Sequence, residues 1–206
     1  MAVSDPFVRA WNSYDSGGLA GLNEREAPLA VITPDIDLAK RASSLIEGLQ
    51  PGDLRWMILV DAYPVVSHGK HLDIVGSRPV SYLDQAATNP EVEVLSALTR
   101  ATAQHVQEVA APQHGAAIFM FGQQVPTMHM QVVARHNEQD GLNWDIPRQE
   151  MPVEARHEIA QALSFDQVPG RAEELQMIAS QVLEHLVERM EPKDCRPTPV
   201  MDGLKR

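Results

Sequence analysis

A short stretch around residue 129 contains the side chains of this chain that are best suited to chemistry. Polar and apolar residues alternate there, with Thr127, His129 and Gln131 at every second position. On a β-strand these three side chains lie on one face, and the methionines between them lie on the other. A histidine between two hydrogen-bonding neighbours on a strand can attack phosphorus, so the pattern predicts His129 as a nucleophile.

The residues before this strand favour the same chemistry. Gly122, Gln123 and Gln124 form a predicted turn that can direct backbone N–H groups toward an anion. Gln131 can donate its side-chain amide to a phosphate oxygen without adding charge, and the hydroxyl of Thr127, which can donate or accept, is expected to contact the substrate. The alternative is that His129 is one polar residue of a half-exposed sheet face, with a hydrogen-bond partner and no chemistry.

The spacing of these residues resembles the signature of the histidine-triad (HIT) superfamily. The similarity begins at Gly122 and Gln123 and ends in His129-x-Gln131. That ending is similar to the branch containing galactose-1-phosphate uridylyltransferase and the dinucleoside tetraphosphate phosphorylases. In these enzymes the middle histidine takes up a nucleoside monophosphate covalently, and glutamine replaces the last histidine. The resemblance implies that His129 is this nucleophile and Gln131 this glutamine.

A second stretch, between Asp61 and Val75, resembles another part of the family pattern. Asp61 and Tyr63 are followed by Gly69 and His71 at the spacing that the family shows. The resemblance implies that Asp61 binds the ribose hydroxyls, since one carboxylate can accept from both, and that His71 orients or contacts the phosphate. Otherwise Asp61 is a turn residue, and His71 is a polar residue at the start of a strand.

The chain departs from the family pattern in three ways. Thr127 stands where active members have their first histidine, and Gln124 replaces a small hydroxyl residue. The asparagine expected before the glycine turn is missing from the apolar segment 116–121. Three functions therefore stay open: an enzyme that transfers or cleaves a nucleoside monophosphate unit, a HIT-like nucleotide-binding protein without catalysis, or an unrelated α+β domain. In the first, apolar residues of 56–59 are expected to line the base.

Periodicity predicts the elements that position these residues. Strands are predicted at 55–60, 70–75, 116–121 and 125–135, and helices at 34–46, 91–111, 153–163 and 173–190. The fold class is α+β, with a HIT-like antiparallel β-sheet, a packed helix and C-terminal helices. We expect an N-terminal arm and short helix over 1–50, a HIT-like domain over 51–150 and a C-terminal helical extension over 151–206. Within the arm, residues 1–33 are expected to be loosely structured or to cover another part.

Composition limits the partners. A net charge of −11 disfavours DNA, RNA and anionic membranes, which need basic fields, so the expected partner is a nucleotide or a nucleotide-linked small molecule.

The single cysteine, Cys195, excludes an internal disulfide, and the proposed chemistry requires no metal or cofactor. No apolar run approaches the roughly 20 residues that span a bilayer, so we expect a cytoplasmic protein. A homodimer is possible.

Overall fold

A five-stranded antiparallel β-sheet lies at the centre of the fold. The computed structural model describes residues 5–66, 68–80, 88–120, 125, 127–140 and 149–191. The strands are β1 (Pro28–Ile32), β2 (Trp56–Val60), β3 (His71–Gly76), β4 (Ala116–Phe119) and β5 (His129–Ala134), in the spatial order β1-β2-β3-β5-β4. The helices are α1 (Pro6–Asn23), α2 (Ile36–Leu45), α3 (Asn89–Ala110), α4 (Val153–Ala162) and α5 (Arg171–Met190). The predicted α+β class with an antiparallel sheet is confirmed.

One face of the sheet forms the main hydrophobic core with the helices. Alternate residues of β2 and β3 point into it, including Trp56, Ile58 and Ile74, and all three are fully buried. Leu98 of α3 and Leu183 of α5 pack in the same cluster. Because side chains alternate along a strand, the other face of β2, β3 and β5 is free to hold a different set of residues.

Helix α1 covers that second face. Phe7 and Trp11 pack against Met57, Leu59 and Val75 in a smaller apolar cluster, and the indole N–H of Trp11 donates to the carbonyl of Gly76 at 2.9 Å. Residues 1–33 were expected either to be loosely structured or to cover another part of the fold. The second expectation describes α1, and the first was wrong, because α1 and β1 are both regular elements. Two adjacent glycines hid the helix, which kinks at the second of them, Gly18.

The strand around the candidate nucleophile is shorter than predicted. Strand β5 begins at His129 rather than at 125, and β4 ends at Phe119 rather than at 121. Thr127 lies in a bend because both its backbone N–H and its hydroxyl bond to Asp5. The predicted turn residues Gly122, Gln123 and Gln124 lie outside the described residues.

The helices lie close to their predicted bounds, with one difference in the buried stripe of α5. The sequence pattern predicts a stripe of Leu175, Ile178, Val182, Leu186 and Met190, but Met190 is 37% exposed, and Ile178 and Val182 are only partly buried. The buried stripe is instead Leu175, Ala179, Leu183, Leu186 and Val187. Within the described residues, no helix is both long and apolar enough to cross a membrane.

Gly69, two residues before β3, has a conformation that other residues rarely adopt. Its φ is +70°, and an added Cβ would lie 2.5 Å from Ile159 Cδ1 and 2.8 Å from Met151 Cε. We expect Gly69→Ala to lower the free energy of unfolding by about 1–3 kcal/mol in urea titrations, because the left-handed backbone stays strained even if both side chains move. Gly52→Ala is the matched control, since a Cβ added there would have nothing within 4 Å. Equal stability of the two variants would contradict the prediction.

Candidate functional site

The register of the sheet brings the predicted site residues together on the face below α1. Asp73 of β3 lies opposite Gln131 of β5, and His129 lies opposite Val75. His71 occupies the same face, two residues before Asp73. The backbone N–H of Asp61, just after β2, donates to the carbonyl of His71 at 2.9 Å. Three strands therefore supply one polar cluster within a largely buried face.

His129 is held in one tautomer by the backbone. Its Nδ1 lies 2.8 Å from the carbonyl oxygen of Thr127. A carbonyl can only accept, so Nδ1 carries the proton and Nε2 of the neutral ring keeps its lone pair. The side chain is 4% exposed, and the ring of Phe7 lies 4.8 Å from the imidazole, centroid to centroid. The ring is thus oriented, largely shielded from water and in a form able to attack.

Burial keeps this histidine neutral. Desolvation lowers the pKa of His129 below its usual 6.5, and the neighbouring His71 acts in the same direction. The Thr127 carbonyl and the carboxylates of Asp61 and Asp5 raise the pKa, but by less than burial lowers it. At neutral pH the ring therefore has a free nitrogen lone pair.

Thr127 connects His129 to the start of α1. Its hydroxyl donates to Asp5 Oδ2 at 2.5 Å, and its backbone N–H approaches the same oxygen at 3.2 Å. The other oxygen of Asp5 accepts from the backbone N–H groups of Phe7 and Val8 and so caps the helix. Thr127 was predicted to contact substrate, and in this structure its hydroxyl has Asp5 as its partner. Nothing in the sequence near residue 127 indicates this contact, because Asp5 is 122 residues away in the chain.

Asp61 and His71 form a buried pair beside the nucleophile. Asp61 Oδ2 lies 2.9 Å from His71 Nδ1, and Asp61 Oδ1 accepts from the backbone N–H of Tyr63 at 2.7 Å. His71 is fully buried, and its Nε2 has no hydrogen-bond partner within the part of the chain that the structure describes. His71 Nδ1 thus lies between the Asp61 carboxylate and the backbone N–H of Val65, whose nitrogen is 3.3 Å away, and the predicted ribose contact stays a prediction.

Asp73 is a site residue that sequence reasoning missed. Its Oδ1 accepts from the side-chain amide of Gln131 at 3.0 Å, so one of the two amide N–H groups predicted to serve phosphate is already engaged. Asp61, His71 and Asp73 also offer ligand atoms that all lie within 4.8 Å of one another. Oxygen and imidazole donors of this kind could hold a divalent cation, and the expectation that no metal is needed stays a prediction. The missed signal was the position of Asp73, two residues after His71 on a predicted strand.

The predicted base-binding residues divide between the two faces of the sheet. Met57 and Leu59 lie on the site face, in the apolar cluster with α1, whereas Trp56 and Ile58 lie in the main core on the opposite face. Strand alternation requires this division. The expectation that the whole segment lines a base is therefore wrong for Trp56 and Ile58.

The sequence predicts that His105, His157 and His185 are surface residues of helices, and two of them are not. His105 of α3 is fully buried, with Nε2 at 2.9 Å from the Leu163 carbonyl. His157 of α4 is partly buried, with Nε2 at 2.9 Å from the Glu26 carbonyl. Both partners are backbone carbonyls of other segments, so these histidines join elements of the fold.

Comparisons with known proteins find distant likenesses among solved structures. No family model matches the chain, and no curated protein matches it. A histidine-triad protein from Marinobacter aquaeolei is 13% identical, with 58% of this chain and 84% of that chain covered and a TM-score of 0.44. A zinc-bound histidine-triad family protein from Mycobacterium smegmatis is 17% identical, with 63% and 81% covered and a TM-score of 0.41.

A third solved structure is a Hit-like protein from Bartonella henselae described as involved in cell-cycle regulation. It is 17% identical, with 52% of this chain and 77% of that chain covered and a TM-score of 0.40.

Proposed function

We propose that the chain is a HIT-like nucleotide-processing enzyme that cleaves or transfers a nucleoside monophosphate unit through a covalent nucleotidyl-His129 intermediate. The observation that carries the proposal is the 2.8 Å bond between His129 Nδ1 and the Thr127 carbonyl. This bond places the proton on Nδ1 and leaves Nε2 as the only ring nitrogen able to attack phosphorus. The resemblance between the motif around His129 and the HIT signature supplies the substrate class.

The reaction has two displacement steps. In the first, the Nε2 lone pair of His129 forms a bond to the α-phosphorus of the nucleotide, and the bond from phosphorus to the leaving oxygen breaks. The ring then carries a positive charge, which the Nδ1–H bond to Thr127 stabilises. In the second, an oxygen of water, phosphate or another acceptor attacks the same phosphorus and loses its proton to solvent, and the N–P bond breaks to return neutral His129.

The other side chains have supporting roles in this proposal. Asp61 accepts hydrogen bonds from the ribose hydroxyls with the oxygens that now accept from His71 and Tyr63. Met57 and Leu59, now packed beneath α1, are the apolar residues of 56–59 on the face of His129. Gln131 contacts a phosphate oxygen after exchanging its bond to Asp73. Backbone N–H groups of 122–124 are expected to face the phosphoryl oxygens, where charge stabilisation is the main contribution to phosphoryl transfer.

Covalent labelling tests the proposal. The full chain is incubated with a dinucleoside polyphosphate, and separately with a nucleotide sugar, each carrying radioactive phosphorus in the α-phosphate. We expect label on the protein that is stable to base and labile to acid, as for a phosphorus–nitrogen bond, and that peptide mapping places on His129. Wild-type protein that neither labels nor turns over either substrate would contradict the proposal.

A nucleotide-binding protein without turnover is the second candidate. It is favoured by the burial of His129, which is 4% exposed beneath Phe7, and by the bond that engages Gln131. A thermal-shift series with mononucleotides distinguishes the two candidates when it is combined with the labelling assay. A ligand at a hundred times its dissociation constant stabilises by about 2.7 kcal/mol, so stabilisation without label would favour the binding protein.

The pH dependence of labelling is expected to reflect the burial of His129. Because its pKa is lowered from 6.5, the ring stays neutral as the pH falls through 6.5, and it is protonated only at lower pH. The labelling rate should therefore have its acid midpoint below pH 6.5. Phe7→Ala admits water beside the ring and should move the midpoint upward. A wild-type midpoint above 6.5 would contradict the prediction.

A further inference from the structure

We propose that Asp5 is a positioning residue for His129 and acts through Thr127. The inference rests on the proposed function, because the orientation of His129 matters for chemistry only if the ring is a nucleophile. A continuous set of hydrogen bonds supports it. Asp5 Oδ2 accepts from the hydroxyl and from the backbone N–H of Thr127, and the Thr127 carbonyl accepts from His129 Nδ1.

The geometry of the first contact fixes the orientation of Thr127. Two donors of one residue, at 2.5 and 3.2 Å from a single carboxylate oxygen, restrict both its side-chain rotamer and its backbone. The carbonyl of the same residue must then keep the direction that meets the imidazole. Thr127 is 1% exposed, so water competes little for these bonds. Asp5 thereby determines which ring nitrogen of His129 carries the proton.

Asp5 is itself held firmly enough for this role. Its second oxygen caps α1 through the backbone N–H of Phe7 at 2.9 Å, and Trp11, one turn further along the helix, is buried against the sheet. The Trp11 indole donates to the Gly76 carbonyl in the strand adjacent to β5. Helix α1 and the site face therefore form one packed unit, and a displacement of Asp5 relative to β5 would disrupt buried contacts.

This arrangement gives a role to the position where the chain differs most from the family pattern. Thr127 stands where that pattern has a histidine, and a threonine is short enough to leave room for the Asp5 carboxylate while its hydroxyl donates to it. The segment 1–33, expected to be loosely structured or to cover another part, supplies a residue that contacts Thr127. Asp5 and Thr127 together orient the nucleophile.

A helix cap alone would explain one oxygen of Asp5, so the test must separate capping from positioning. Asp5→Asn does this, because its amide oxygen can still cap α1 while its NH₂ group cannot accept from Thr127. Asp35→Asn is the matched control. Asp35 caps α2 with bonds of 2.9 and 3.2 Å to the N–H groups of Asp37 and Leu38, and it lies at an exposed helix start.

Labelling kinetics with the radioactive dinucleoside polyphosphate provide the first measurement. We expect Asp5→Asn to lower the labelling rate at saturating nucleotide about tenfold, which is about 1.4 kcal/mol of barrier, with the half-saturating concentration changed less than about twofold. Thr127→Val should have the same effect, and Thr127→Ser should recover most of the rate. An unchanged saturating rate in Asp5→Asn, or an equal loss in Asp35→Asn, would overturn the inference.

Nitrogen-15 chemical shifts of the His129 ring provide a second measurement that needs no substrate. Wild-type protein should show a single tautomer protonated at Nδ1, and Asp5→Asn should show a mixture of both tautomers. If wild type does not label but the tautomers shift as expected, the proposed function fails and the positioning role of Asp5 holds. If wild type labels and the Asp5→Asn ring stays in the single tautomer, the positioning role fails and the proposed function holds.

Discussion

His129→Ala is expected to abolish covalent labelling, with a loss of at least about a thousandfold in any nucleotide turnover. The reason is chemical, since no other described group occupies the position of its Nε2 and the first displacement step has no nucleophile without the ring. The measurement is acid-labile radioactive label per mole of protein, followed over time at saturating nucleotide. The loss should occur without loss of nucleotide binding, because Asp61 and the apolar residues beside it are unchanged.

The control for this experiment is His68→Ala. His68 is also a partly buried histidine beside a carboxylate, with Nε2 3.3 Å from Asp140, but it does not belong to the hydrogen-bonded set around His129. The His68→Ala variant should label as wild type does. Label that persists in His129→Ala, or that maps to His68, would exclude His129 as the nucleophile, and circular dichroism of both variants checks that each is folded.

Free imidazole gives a complementary test of the same prediction. In His129→Gly the side chain is replaced by a cavity, and added imidazole can occupy it and attack the substrate in place of the missing ring. We expect partial recovery of nucleotide turnover that rises with imidazole concentration, together with release of nucleotidyl-imidazole into solution. If imidazole increases turnover in the wild type but not in His129→Gly, the imidazole does not react from this cavity, and the prediction is contradicted.

The local pattern around β5 predicted which residues share a face, because successive side chains of a β-strand point to opposite faces of the sheet. Gln131 and His129 lie on one side, and Met128 and Met130 pack toward the core. The same reasoning placed β2 and β3 to within a residue. Features that depend on short-range periodicity could therefore be predicted from the sequence. They include the strands that carry His71 and His129 and the faces on which these residues lie.

The contacts missed by sequence reasoning are those that depend on long-range pairing. Asp73 meets Gln131 across 58 residues, and Asp5 meets Thr127 across 122 residues. Neither contact can be predicted from local periodicity, because the register of two strands and the packing of a helix depend on the whole core. Helix α1 was missed for a second reason, since Gly17 and Gly18 interrupt its apolar pattern and the helix kinks there.

Burial of charge is the feature that distinguishes this site from an ordinary polar sheet face. Asp61, His71 and Asp73 are all buried, and buried charged groups require partners because desolvation is costly. The pair Asp61 and His71 meets this need by direct contact at 2.9 Å. A ribose hydroxyl that bonds to Asp61 in place of His71 must compensate for the contact that is lost. A ligand with two adjacent hydroxyls does this better than a deoxynucleotide.

Asp61→Ala is expected to lower the free energy of unfolding by about 1–3 kcal/mol. His71 is fully buried, and removing its carboxylate partner leaves an imidazole N–H without its acceptor in a dry environment. Asp61→Asn should cost less, since an amide oxygen still accepts from His71 or from the Tyr63 N–H. Urea titration measures both values, and Asp37→Ala, which breaks an exposed pair with Lys40, should change stability by less than about 0.5 kcal/mol.

The same variants test the ribose contact. We expect mononucleotides to raise the melting temperature of wild-type protein, and this shift should be lost in Asp61→Ala and strongly reduced in Asp61→Asn, because a neutral amide is a weaker acceptor for two hydroxyls than a carboxylate. A 2′-deoxynucleotide should already give a smaller shift with wild type. If Asp61→Ala keeps both the full stability and the full nucleotide shift, then neither the bond to His71 nor the ribose contact holds, and both roles fail together.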